Sequence, residues 1–364
     1  MDMSLAFAAS SPCRKNTSMR EYTRIAVVGA GLIGRRHAVA VQAAKGIELA
    51  CIVDPAPAAQ QFAAELDVDC VPDIAALVDR GGVDGAILST PNTMHADGAL
   101  ACIGAGLPVL IEKPLATDLE SARMVVSAAT AAAIPIATGH HRRHNPLIAR
   151  AKMLVDEGAL GQIASVHGMT WFMKPPDYFD IGWRRRKGAG PVYLNLIHDV
   201  DLLQYFCGPI DSVHAYESNK IRGNEVEETA VILLRFESGL LGTVNVCDSA
   251  VAPWSWELTA RENPAYPATG EDCYWIGGTR GSLSLPNLTL WSNPEKRSWW
   301  EPISGTKMPF DFSDPLILQA EQFGRVIRRE EEPVVSGWDG LAALAVIEAV
   351  KLSATTGETR KIVQ

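Results

Sequence analysis

Val27-Val28-Gly29-Ala30-Gly31-Leu32-Ile33-Gly34 is the stretch whose reading decides the fold. A β-branched run enters a Gly-x-Gly-x-x-Gly loop, and a helical stretch starts near Leu32. That context, strand before and helix after, turns a weak pattern into a dinucleotide-binding signature. Gly29 allows the tight turn, Gly31 lets a pyrophosphate approach the backbone, and Gly34 permits close contact of helix on strand. Leu32 and Ile33 begin the helix whose free N–H groups would face the phosphates. Twenty residues after Gly34, at the end of the next apolar run, stands Asp54. A carboxylate there accepts hydrogen bonds from the adenosine ribose and repels a 2′-phosphate, so NAD is expected and NADP is disfavoured. Arg35 and Arg36 pull the other way, because either could approach a phosphate.

Outward from this loop, short β-branched runs alternate with Ala-rich helical stretches: Ile25–Val28, Glu48–Val53, Gly85–Leu88, Val109–Ile111 and Ile134–Ala137 are the strand candidates. Such alternation predicts βαβ units around a doubly wound parallel sheet of Rossmann type. After Asn145 the texture changes. A helix over Leu147–Glu157 leads into strand-like runs at Ile163–Phe172, Ser212–Glu217, Glu227–Phe236, Leu240–Val246, Trp254–Thr259 and Ser282–Leu285, separated by Gly, Pro and Asn. These predict an α+β domain with an open, mostly antiparallel sheet. Further helices are expected at Val192–Phe206, Leu316–Arg329 and Asp339–Thr355. The expected organisation is a disordered tail over residues 1–23, a dinucleotide-binding domain over 24–143 and a substrate and oligomerisation domain over 144–364. The last helices are expected to return to the first domain.

Composition narrows the partners. A formal net charge of -9 argues against a nucleic-acid backbone as ligand, because such binding needs clustered Lys and Arg. No apolar run is long enough to span a bilayer. The 7 cysteines are scattered, odd in number and form no C-x-x-C pair, so a reducing cytoplasm is the expected compartment. In the opening segment the basic residues Arg14, Lys15 and Arg20 follow the apolar patch Leu5–Ala9, which is the wrong order for a secretory signal.

Ser89-Thr90-Pro91-Asn92 with His95, and Ile111-Glu112-Lys113-Pro114-Leu115, stand at the ends of the third and fourth strand candidates. Farther on come Gly139 to Pro146, Gly188-Ala189-Gly190-Pro191, Asn195 to Asp201 and Ser336 to Gly340. With the glycine loop, this combination resembles the Gfo/Idh/MocA family of oxidoreductases, from about Arg24 to the final helix. The resemblance implies that Ser89, Thr90, Pro91, Asn92, His95, Glu112 and Lys113 border the cofactor, and that the nicotinamide lies between the domains. It also places Lys113 beside the reacting carbinol and His198 at the catalytic histidine position. Many members carry an aspartate four residues before that histidine. Here the position is Leu194, with Asn195 as the neighbouring polar residue.

The chemistry of alcohol oxidation asks for the same residue types. Hydride leaves carbon and a proton leaves oxygen, so a base and a cation at the developing alkoxide are both needed. His198 titrates near neutrality. Lys113, at the sheet's carboxyl edge, either holds the hydroxyl or accepts its proton. Asn195 cannot take a proton and would orient its neighbours. Asp201, three residues after His198, is expected to orient the imidazole better than Asp199. The His140, His141 and His144 cluster lacks a completing carboxylate, so no metal is expected, and His141 is assigned to the substrate side. Tyr178, Trp183 and Arg184, on a polar aromatic loop, are candidate substrate contacts. The expected activity is oxidation of a secondary alcohol in a sugar, inositol or related polyol. A glycosidase that oxidises transiently and regenerates NAD is an alternative, as is a dinucleotide-sensing protein without turnover. A homodimer or homotetramer is expected.

Overall fold

A computed structural model describes residues 22–363. The expected tail and the leader-like segment fall almost wholly outside the described residues, although Thr23 already belongs to the first strand.

Six strands form the first sheet: β1 Thr23–Val28, β2 Ile47–Val53, β3 Asp69–Val71, β4 Gly85–Leu88, β5 Val109–Ile111 and β6 Ile136–Thr138. All pairings are parallel, in the order β3-β2-β1-β4-β5-β6. Both faces are covered, which is why Ile25 to Val27 and Ala86 to Leu88 are completely buried. The crossovers carry α1 Leu32–Ala43, α2 Pro57–Glu65, α3 Ile74–Arg80, α4 His95–Gly104 and α5 Leu119–Ala132. The strand order reverses between β1 and β4, and in a sheet of this kind ligands settle outside the carboxyl ends at that point.

After α6 Pro146–Asp156 the chain builds a nine-stranded sheet. Its strands are β7 Ile163–Trp171, β8 Ile210–Ser218, β9 Thr229–Phe236, β10 Leu241–Cys247, β11 Tyr274–Gly278, β12 Ser282–Leu285, β13 Thr289–Ser292, β14 Ser304–Lys307 and β15 Arg360–Lys361. One pairing, β7 with β10, is parallel and the others are antiparallel. On β9 the alternate residues Ala230, Ile232, Leu234 and Phe236 are buried while Val231 and Leu233 face outward, the signature of a sheet covered on one side only. Helices α7 Ile197–Cys207 and α10 Gly337–Thr356 contribute Val200, Leu203, Val346 and Ile347 to the core on that covered side. Leu341 and Leu344 of α10 enter the core of the first sheet, and α9 Pro315–Ile327 places Ala320, Phe323 and Val326 against Ile25 and Val27.

Two expectations are corrected. The stretch Trp254–Thr259 is not a strand: Ser255 adopts extended backbone, its Oγ accepts from the Leu258 amide, and a short helix α8 follows over Trp256–Thr259. The helix expected over Val192–Phe206 is also not uniform, because its first turn, Val192–Leu196, is π-helical before α7 begins. Wide turns of this kind recur at functional sites, and this one lies beside Lys113.

Candidate active site

A cavity of about 1200 Å³ opens at the carboxyl ends of β1 and β4. Gly29, Gly31, Leu32, Ile33, Asp54, Ser89, Thr90, Pro91, Asn92, His95, Glu112, Lys113, His141, Trp183 and His198 all line it. The glycine loop fits a dinucleotide in detail. Gly29 has φ +93°, and a Cβ there would stand 2.7 Å from the Ser89 carbonyl oxygen. A Cβ on Gly34 would stand 1.8 Å from the Gly29 oxygen, so both positions are closed to larger residues. Around Gly31 there is open space instead, the room a pyrophosphate needs over the start of α1. Asp54 is held in place by the Ala30 and Ala56 amides, each donating to one carboxylate oxygen at 2.8 Å, and each oxygen keeps a further lone pair.

The strand-end segments are tied to one another from behind. His95 sits in the cavity wall, but its Nδ1 and Nε2 lie 2.8 and 2.9 Å from the Pro114 and Thr90 carbonyl oxygens, so the ring joins the ends of β4 and β5. Glu112 meets His37 of α1 at 2.7 Å and accepts from the Lys113 amide at 3.1 Å. Burial pushes its pKa up, but the His37 hydrogen bond and the charges of His37 and Lys113 outweigh that and hold it at about 2. His37 was not singled out by sequence reasoning. Its signal is its place in the loop helix, three residues after Gly34, on the face turned to the sheet.

Lys113 reaches across to the π-helical turn, where its Nζ donates to the Leu194 carbonyl at 3.2 Å. Burial lowers its pKa, Glu112 raises it, Arg142 lowers it and Glu257 raises it, with a net fall. His198 lies next to it on α7, 7% exposed, with no partner for Nδ1. The rings of His140 and His141 meet it edge-on, each with centroids 5.5 Å away. Burial, followed by the charges of Lys113 and Arg142, holds the His198 pKa well below the ordinary 6.5. The ring therefore stands neutral, with an acceptor free.

Asp201 does not orient His198, contrary to the sequence expectation, and neither does Asp199. Neither carboxylate hydrogen-bonds to the imidazole, and both are engaged by the consecutive buried arginines that follow β6. Arg143 donates to Asp201 at 2.6 and 2.9 Å, and Arg142 donates to Asp199 at 2.7 Å. Residues three apart are neighbours on a helix surface, but a guanidinium fork is the stronger competitor for the carboxylate. His141 is 3.6 Å from Glu262, while Arg184 donates to the Tyr178 carbonyl at 2.9 Å and stacks 4.0 Å over its ring. Trp183 thus borders the cavity, whereas Tyr178 and Arg184 chiefly brace the loop that carries it. Asn195 donates to Glu257 at 3.4 Å. Glu257 and Glu262 were missed because the helix α8 region was read as a strand or loop. Since its pKa is depressed, His198 should be unprotonated at pH 6.5, where a free histidine is half charged. Histidine-resolved NMR titration should show this, and a His198 midpoint at or above 6.5 would contradict the geometry.

Comparisons with known proteins converge on one family. Residues 23–140 match the model described as oxidoreductase family, NAD-binding Rossmann fold, and residues 148–284 match the GFO/IDH/MocA C-terminal domain. An inositol 2-dehydrogenase from Mycolicibacterium gilvum is 31% identical over 354 residues, covering 92% of this chain and 91% of that protein. A 1,5-anhydro-D-fructose reductase from Ensifer adhaerens is 28% identical, covering 93% and 98%. Among solved structures, the WlbA dehydrogenase from Bordetella pertussis in complex with NADH and UDP-GlcNAcA is 26% identical with a TM-score of 0.75, covering 94% of this chain and 99% of that one. The glycine loop, the Lys113 segment and the His198 helix thus sit in a chain that belongs to the Gfo/Idh/MocA family of NAD-binding oxidoreductases.

Proposed function

We propose that this enzyme oxidises a secondary alcohol of a sugar, an inositol or a related polyol, and that Lys113 and His198 carry the chemistry. The observation behind this is that a partly buried lysine and a histidine held neutral by its surroundings line one cavity with a dinucleotide loop. Bound NAD supplies the hydride acceptor. His198 takes the hydroxyl proton, and the Lys113 ammonium stabilises the oxygen as charge develops on it. Its hydrogen bond to Leu194 keeps the ammonium aimed across the site. His140 and His141 limit the freedom of the His198 ring from two sides. The relatives named for inositol and anhydrofructose support a polyhydroxylated substrate.

The test is a panel of inositols, sugars and cyclic diols with NAD, followed by absorbance of the reduced nicotinamide. Net NADH accumulation is expected. Turnover that cleaves a glycoside without accumulating NADH would favour a transient-oxidation mechanism instead. Lys113→Met and His198→Asn should each lose about a hundredfold or more in turnover while NADH affinity stays within about twofold. Asn195→Ala should lose less turnover than either. Hydride transfer at the unaltered rate in both of the first two variants would show that the site is wrongly placed.

The Asp54 carboxylate makes NAD the preferred dinucleotide. NADP should bind about tenfold more weakly or worse, and Asp54→Ala should narrow that gap. Fluorescence titration of both reduced dinucleotides measures it, and equal affinities in the unaltered enzyme would refute the assignment.

We also propose a homodimer or homotetramer built on the open face of the large sheet. Tyr216 at 67%, Leu233 at 54% and Leu241 at 61% are exposed there on three adjacent strands. Sedimentation should show the oligomer at micromolar concentration, and Leu233→Asp should weaken it. Only monomer in the unaltered protein would overturn this.

A further inference from the structure

Among the buried polar atoms with no hydrogen-bond partner in the described residues, which also include both ring nitrogens of His140, Ser89 Oγ, Thr90 Oγ1 and Trp256 Nε1, are His198 Nδ1, Asn195 Oδ1 and Glu257 Oε2. His198 already belongs to the catalytic pair. The other two are unexplained, and their chemistry is fixed by what they touch. Glu257 Oε1 accepts from Arg142 Nη2 at 3.0 Å and from Asn195 Nδ2 at 3.4 Å. A carboxylate only accepts, so the Asn195 amide must turn its nitrogen to Glu257. Its oxygen is left as a bare acceptor. Two unpartnered acceptors therefore stand together, one of them on the residue that follows Leu194, whose carbonyl holds Lys113.

Among the described residues no neighbouring cation donates to either of them. Arg142 is spent on Asp199, Tyr274 and Glu257, and the buried Lys174 pairs with Asp248 at 3.1 Å. Lys113 gives one of its three N–H groups to Leu194 and makes no hydrogen bond to either acceptor. Buried acceptors in this condition are costly unless a donor arrives with the ligand. Glu257 retains 15% side-chain exposure and is therefore not in sealed core, although neither it nor Asn195 lines the cavity described above. Its charge also acts on Lys113, where it opposes the effect of burial.

We propose that Asn195 Oδ1 and Glu257 Oε2 form an acceptor subsite that binds hydroxyl groups of a neutral polyhydroxylated substrate, and that Glu257 discriminates against substrates bearing a carboxylate. This rests on the dehydrogenase reading of the same site and adds which chemical feature of the substrate is selected. A hydroxyl donates to either oxygen. A carboxylate placed there meets two acceptors and a like charge, and gains nothing to offset its lost hydration.

The test uses the NAD-saturated enzyme with myo-inositol and D-glucose as neutral probes and D-glucuronate and D-gluconate as anionic ones. The unaltered enzyme should have its lowest KM among the neutral probes. Glu257→Gln keeps the shape and an acceptor for Arg142. It should raise the neutral-probe KM about tenfold, the loss of one charge-assisted hydrogen bond, while the anionic probes are penalised less than before. Asn195→Ala removes the second acceptor without changing charge, so it should raise the neutral-probe KM and leave the discrimination against acids in place. NADH affinity should be unchanged in both, which separates the subsite from a general loss of structure. If Glu257→Gln does not fold, Asn195→Ala still decides the hydroxyl part. Neutral probes that are oxidised with the same KM in the variants as in the unaltered enzyme would overturn the subsite alone. An unaltered enzyme that reduces NAD with none of the four would overturn the subsite together with the polyol reading.

Discussion

Arg142 and Arg143, two consecutive buried arginines in the turn after β6, are the constraint on which the rest of the structure depends. Arg142 ties that turn to Asp199 on α7, to Tyr274 on β11 and to Glu257 on α8, and Arg143 ties it to Asp201 on α7 and Asp339 at the start of α10. The turn continues the last strand of the parallel sheet, whereas the elements of all five partners belong to the large sheet or pack on it. Taking a guanidinium out of water costs several kcal/mol, which is regained only where every N–H finds a partner in good geometry. The arginines therefore act less as glue than as a specification. One relative placement of the two sheets satisfies both forks, and that placement brings α7, with His198, to the edge where Lys113 emerges.

The same ion pairs decide the electrostatics of the site. Because Asp199 and Asp201 are engaged by the arginines, the neighbouring imidazole has no carboxylate of its own. Its surroundings are Lys113, Arg142, His140 and His141, which together with burial favour the neutral ring. Glu112, engaged with His37, contributes its charge to the Lys113 side of the site and not to the histidine. A cationic lysine and a neutral histidine then coexist a short distance apart, the division of labour that alcohol oxidation requires.

Much of this was legible in the sequence where local rules act alone. The glycine loop needs its three glycines for reasons of backbone and contact distance, and the strands Gly85–Leu88 and Val109–Ile111 appear at the bounds read from their apolar runs. What escaped had non-local causes. β3 and β15 are too short and polar to announce themselves, and their pairing is set by neighbours already in place. Trp254 to Thr259 alternates like a strand, yet the Ser255 cap and the burial of Trp256 under Arg142 make it a helical turn. Misreading that turn hid Glu257. The fate of Asp201 was likewise invisible, since its partner lies 58 positions earlier in the chain.

Leu194 shows how a departure in side chain need not be a departure in contact. In the π-helical turn its main-chain carbonyl, not its side chain, meets the Lys113 ammonium. A carbonyl can orient an ammonium but brings no net charge with which to balance it. The balancing charges come instead from Glu112, adjacent to Lys113 in the chain, and from Glu257, which Arg142 holds on the other side. Docking of the two sheets and charging of the lysine are thus one event. Whatever displaces Arg142 releases Glu257, and with it both the electrostatic setting of Lys113 and the hold on the Asn195 amide.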